Sequence, residues 1–70
     1  MLGEFMIIYD KLWAYMKKNE VSQYKLLHSG ISNSSLDRLK KNQPVSVDTI
    51  NKLCIILGCQ VEDIMEFVEE

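Results

Sequence analysis

The chain reads as an all-α domain of five short helices. Apolar residues recur at three- and four-residue spacing through most of its length, and a serine stands where three of the periodic stretches begin. One proline and three glycines in 70 residues leave those stretches uninterrupted. An apolar content of 47% is ample for a core. Seventy residues make a single domain, residues 1–70, which buries only about 60% of the surface its unfolded chain exposes.

Helix 1 is expected over about Tyr9–Asn19, with Tyr9, Leu12, Trp13 and Met16 on its inner face and Trp13 in the core. Lys17 and Lys18 in its last turn complement the helix dipole. Helix 2 is expected over about Gln23–Ser29, with Ser22 as N-cap and Leu26 and Leu27 inward. Gly30 follows, where a left-handed residue ends a helix at little cost. Helix 3 runs over about Asn33–Lys41, capped by Ser32, with Ile31, Leu36 and Leu39 as its buried contacts. Pro44 makes residues 42–45 a loop. Helix 4 covers about Val47–Leu57, with Ser46 as N-cap and Ile50, Leu53, Cys54 and Leu57 inward, and Gly58 stops it. Helix 5, about Val61–Phe67, opens on two acids and adds Ile64, Met65 and Val68 to the core.

The ends of the chain carry a different signal. Phe5–Ile8 is apolar, β-rich and uncapped, and Glu66–Glu69 alternates, so a short N-/C-terminal strand pairing is open beside helix 5. Met6 offers a second start, so residues 1–5 read as an extension ahead of the core. Helix 5 and the acidic tail read as a complete ending.

Charge is divided along the chain. The net charge is −2, which argues against indiscriminate coating of nucleic acid. Residues 17–42 nevertheless hold six bases (Lys17, Lys18, Lys25, Arg38, Lys40, Lys41) against Glu20 and Asp37, a balance of +4. Residues 61–70 hold Glu62, Asp63, Glu66, Glu69 and Glu70 and no base. A positive face beside a negative tail suits oriented binding of a polyanion.

Several function classes drop out. Met1–Tyr9 is too short to span a bilayer and lacks the basic start of a secretion signal, so no membrane partner is expected and the chain reads as cytoplasmic. Cys54 and Cys59 are too few for a disulfide framework. With His28 as the lone histidine they do not make a zinc site either, so both read as thiols in or near the core. Nothing orders the serines, acids and His28 around a pocket, so no enzyme, cofactor, catalytic residue, metal site or small-molecule ligand is expected.

Residues 22–42 carry the function. They read as two short helices bent around Gly30, a helix-turn-helix unit whose second helix starts with small polar residues and ends in a basic cluster. A helix that enters a DNA groove needs short hydrogen-bonding side chains where base edges lie and cations where phosphates lie. Ser32 reads chiefly as a cap. Asn33 can pair bidentately with adenine and Ser34 can donate or accept, though both also suit a polar first turn. Arg38 shares roughly their face one turn on, and its fork fits guanine or two phosphate oxygens. An intrahelical pair with Asp37 is its rival, but adjacent residues do not face each other on a helix. Ser35, Lys40, Lys41 and Asn42 are phosphate candidates, with a merely solvated charged face as the alternative. Tyr24 either lies over the DNA backbone or covers the core edge, with partial burial favoured; His28 caps helix 2 or faces solvent.

With this pattern in place, the chain resembles the Cro/phage-repressor type of helix-turn-helix regulators, often called the XRE family. The resemblance covers about residues 6–69. It rests on Ser22-Gln23, Leu26, Gly30-Ile31-Ser32, Leu36-Asp37-Arg38-Leu39 and the Ser46–Gly58 segment, and it is greatest to small bacterial and mobile-element members that begin like Met6–Trp13. It implies a phage-repressor-like DNA-binding domain in which Gln23 binds a phosphate and braces helix 3, while Asn33 and Ser34 read bases. A glutamine merely solvated beside a cap is the plainer reading of Gln23. The chain departs from the family in one place. Leu26 and Gly30 are separated by three residues where members carry four, and Leu27 stands where members have a small residue, so the approach of helices 2 and 3 is expected to differ.

The reading is a sequence-specific DNA-binding transcriptional regulator of a bacterium, phage or mobile element, with double-stranded DNA as partner and helix 3 in the major groove. A homodimer is expected through the N-terminal segment and helix 5, using Phe5, Ile7, Phe67 and Val68; the rival is that these residues close the monomer's own core. The alternative from another class is a protein-interaction module on the same fold, such as an antitoxin or anti-repressor partner.

Overall fold

The structure is a computed structural model that describes residues 5–69. Of the extension expected over residues 1–5, residues 1–4 and the side chain of Phe5 lie outside the described residues. Strand β1 (Phe5–Ile8) leads into α1 (Asp10–Lys18), α2 (Gln23–His28), α3 (Asn33–Lys40) and α4 (Val47–Leu57). A single 3-10 turn (Val61–Asp63) and strand β2 (Glu66–Glu69) follow. The expected start and end of helix 4 are both met, and the other helix ends fall within a residue of expectation.

The three serine caps form as the sequence predicts. The hydroxyls of Ser22, Ser32 and Ser46 each accept a hydrogen bond, at 3.1 Å, from the amide three residues on: Lys25, Ser35 and Thr49. The helix ends share a device that the sequence marks only half of the time. Behind each α-helix one left-handed residue turns the chain so that the next amide donates back to a carbonyl five residues earlier. The turning residues are Glu20 (φ 56°), Gly30 (109°), Asn42 (54°) and Gly58 (64°). The bonds run from Val21 to Met16, Ile31 to Leu26, Gln43 to Arg38 and Cys59 to Cys54, at 2.8–3.1 Å. At Gly30 a Cβ would meet nothing within 4 Å, so glycine is favoured there by its φ and not by space. Ahead of this turn α2 stops at His28 after six residues, and Leu27 is half-buried against the core.

The fifth helix is a correction. Residues 61–67 form only one 3-10 turn and then extend, because Glu66–Glu69 finds a partner in β1. The two strands pair antiparallel, Phe5 with Glu69, Met6 with Val68, Ile7 with Phe67 and Ile8 with Glu66. The two acids belong to the turn, where the Gln60 amide donates to the Asp63 carboxylate at 3.0 Å. Two four-residue strands are marginal alone. Here Ile7 and Met65 pack on the core and hold the ribbon to it.

The core is Tyr9, Leu12, Met16, Leu26, Ile31, Leu36, Leu39, Ile50, Leu53 and Ile64, so every helix contributes. Trp13 is a second correction. It is half-buried at the core's edge, and Tyr9 is the aromatic inside, at 3% exposed. The Tyr9 amide donates to the Asn42 side-chain oxygen at 3.0 Å and its hydroxyl donates to the Gln43 carbonyl at 3.4 Å. The loop behind α3 is thereby fastened to the start of α1.

Candidate nucleic-acid interface

Helix α3 is held from behind and open in front. Leu36 and Leu39 are buried and Ser35 is half-buried, which fixes the rotation of the helix on the core. The exposed side is Asn33, Ser34, Asp37, Arg38, Lys40 and Lys41. At 3.6 residues per turn, Ser34, Asp37, Arg38 and Lys41 make the centre of that side, with Asn33 and Lys40 along one flank. Ser32 is engaged as cap and also bonds the Ser35 hydroxyl at 3.0 Å, so the two serines satisfy one another at the N-terminus.

Electrostatics divide this side. Lys41 pairs with Asp37 one turn earlier at 3.0 Å, as i,i+4 partners do. Both side chains are more than half exposed, at 60% and 58%, so the pair orients Lys41 more than it stabilises the helix. Arg38 and Lys40 have no ion pair within 4.0 Å among the described residues, and the rival Asp37–Arg38 pair is not formed. Asn42 is half-buried with its side-chain oxygen engaged by the Tyr9 amide.

Helix α2 presents Gln23, Tyr24, Lys25 and His28, all exposed. Tyr24 is a correction to the partial burial expected: it is 68% exposed, with its ring against His28 at 4.1 Å between centroids and 39° between planes. Sequence reasoning missed this pair and the Asp37–Lys41 pair. Both were legible in the i,i+4 spacing.

The comparisons with known proteins bear on this unit. The model of the Cro/C1-type HTH DNA-binding domain matches residues 11–70. The chain belongs to that family. It is a family of DNA-binding regulators and not of enzymes. The crystal structure of transcriptional regulator VanUg (Form II) superposes with a TM-score of 0.87 at 30% sequence identity, covering 100% of this chain and 93% of that one. No curated protein matches the chain. None of the helices among the described residues is long and apolar enough to cross a membrane.

Proposed function

We propose that the chain is a sequence-specific transcriptional regulator that lays α3 in the major groove of double-stranded DNA. The observation that carries this reading is the outward side of α3, a polar and basic stripe on a helix whose rotation is set by two buried leucines. Asn33 and Ser34 meet base edges, and Arg38 takes guanine O6 and N7 or the adjacent phosphate. Asp37 stands mid-stripe, where a carboxylate suits the amino group of cytosine and opposes close approach of a phosphate. Gln23 at the start of α2, Ser32, Ser35, Lys40, Lys41 and the Asn42 amide supply the phosphate contacts that set register. The DNA-binding family and the regulator named VanUg support this reading, which also puts the chain in the cytoplasm.

Selection of bound sequences from a random DNA pool, followed by titration of variants on the selected site, tests the proposal. Arg38→Ala and Asn33→Ala are each expected to cost about 1–3 kcal/mol on that site and to relax discrimination at one or two base pairs. Unchanged affinity in both variants would remove α3 as the reader.

One α3 reads only about three to five base pairs, so a second copy is needed to single out a site. The terminal ribbon is the proposed contact. Ile7 packs on the monomer's own core, which leaves Phe67, at 63% exposed, and the ribbon's outer edges as the surface. Sedimentation of the complex with a palindromic selected site is expected to give two chains per duplex. Exposed apolar residues away from α3, Val47 at 84% and Ile55 at 71%, favour the second reading, a protein-interaction module; selection that returns no preferred DNA at low salt would move the assignment to it.

A further inference from the structure

Cys54 and Cys59 are the only cysteines of the chain, and both are free and half-buried. At the end of α4, Gly58 folds the chain back, and the Cys59 amide donates to the Cys54 carbonyl at 3.1 Å. That bond limits the separation of the two Cα atoms to about 7 Å, an upper bound at the edge of the range that a disulfide spans. The side chains follow the backbone. Both residues line one mostly apolar recess of about 230 Å³ with Val47, Ile50 and Val61, and Cys54 is near enough to help push the Cys59 thiol up. No set of three or more His, Cys, Asp or Glu residues is placed to hold a metal ion among the described residues, so no third ligand joins the thiols. An apolar contact between these two positions often accompanies such a helix end, and that is the plain alternative to chemistry.

We propose that Cys54 and Cys59 are a thiol–disulfide modification site, oxidised by a small-molecule disulfide such as glutathione disulfide. One cysteine thiolate attacks a sulfur of glutathione disulfide, which forms a mixed disulfide and releases one glutathione thiolate. The second cysteine loses its proton and attacks the protein sulfur of that mixed disulfide, which releases the second glutathione. Two protein thiols are oxidised to one disulfide and one glutathione disulfide is reduced to two glutathiones. The bond closes across the left-handed turn at Gly58 and ties α4 to the segment that leads into β2. Burial pushes the Cys59 thiol up, and neighbouring Cys54 and Asp63 push it the same way. It is therefore protonated at neutral pH, and closure is slow rather than instantaneous.

The test uses the whole chain in excess glutathione disulfide, followed by alkylation with iodoacetamide and intact-mass measurement. Most molecules are expected to be monomeric, free of glutathione and unalkylated, and dithiothreitol is expected to return two alkylatable thiols. Cys54→Ser and Cys59→Ser are each expected to stop at one stable glutathione adduct, because the resolving thiol is gone. The same incubation in urea is expected to favour intramolecular closure several-fold less than in the folded chain. Two persisting free thiols, two glutathione adducts, only intermolecular disulfides, or closure equally favourable in urea would each overturn the site.

Discussion

Asp37→Ala separates the DNA-binding role proposed for α3 from its role in the fold. Asp37 and Lys41 are each more than half exposed, 3.0 Å apart and one turn apart on the helix. An exposed i,i+4 pair of this kind contributes only about 0.3–0.5 kcal/mol. In a domain of this size that shifts Tm by about 1–4 °C, so the variant remains folded. The effect on DNA is larger in kind. In the parent, Asp37 cancels the charge that Lys41 brings to its phosphate; without the carboxylate that charge is fully effective, which steepens the dependence of log affinity on log salt by about 0.9. Between about 50 and 200 mM salt the variant then loses about 3.5-fold more affinity than the parent does, on any sequence. Fluorescence anisotropy on two unrelated duplexes across that range measures both slopes. In the double variant Asp37→Ala/Lys41→Ala the steepening is expected to vanish, which assigns it to Lys41. A slope unchanged by Asp37→Ala would refute the placement of this side of α3 against the phosphates.

Three further outcomes are expected. Leu12 is fully buried in α1, so Leu12→Ala costs about 2–5 kcal/mol, while Trp13→Ala at the core's edge costs less; thermal unfolding followed by circular dichroism orders the two, and the reverse order would contradict the phase of α1. Asn42 combines φ 54° with the bond to the Tyr9 amide, so Asn42→Ala is expected to cost about 1–3 kcal/mol and Asn42→Gly less, since glycine removes the bond but not the backbone ease; equal losses in urea titrations would show that φ is unimportant there. Burial holds both the Tyr9 hydroxyl and the Cys59 thiol above their ordinary pKa values of 10.0 and 9.0, so the unfolded chain releases these protons first. The stability they provide is complete at neutral pH and is lost as pH rises through about 9 and beyond, which urea midpoints measured against pH will register; a midpoint that climbs over that range contradicts the burial of both groups.

Helices α1 to α4 were legible in the chain because each is governed by interactions within one or two turns. A serine hydroxyl reaches the amide three residues on, apolar spacing marks the inner face, and Gly30 and Gly58 announce the left-handed stop. The stops at Glu20 and Asn42 use the same backbone geometry without glycine, and no local signal distinguishes them. The outward residues of α3 followed from the same periodicity, since Leu36 and Leu39 define the side that remains. Residues 61–69 followed in part: the pairing of Glu66–Glu69 with Phe5–Ile8 was legible in their alternation, while helix 5 did not form. Their local sequence permits a helix or a strand, and pairing with residues some sixty positions earlier decides for the strand. Tyr9 is buried as its spacing predicts, but that Trp13 stays at the core's edge depends on what closes over α1, where the Asn42–Gln43 loop more than thirty residues away bonds Tyr9. Local chemistry decides where a helix starts, stops and turns its apolar side; which edge-lying aromatic is covered, and whether a segment with two open conformations becomes a strand, belongs to partners that only the folded chain brings within reach.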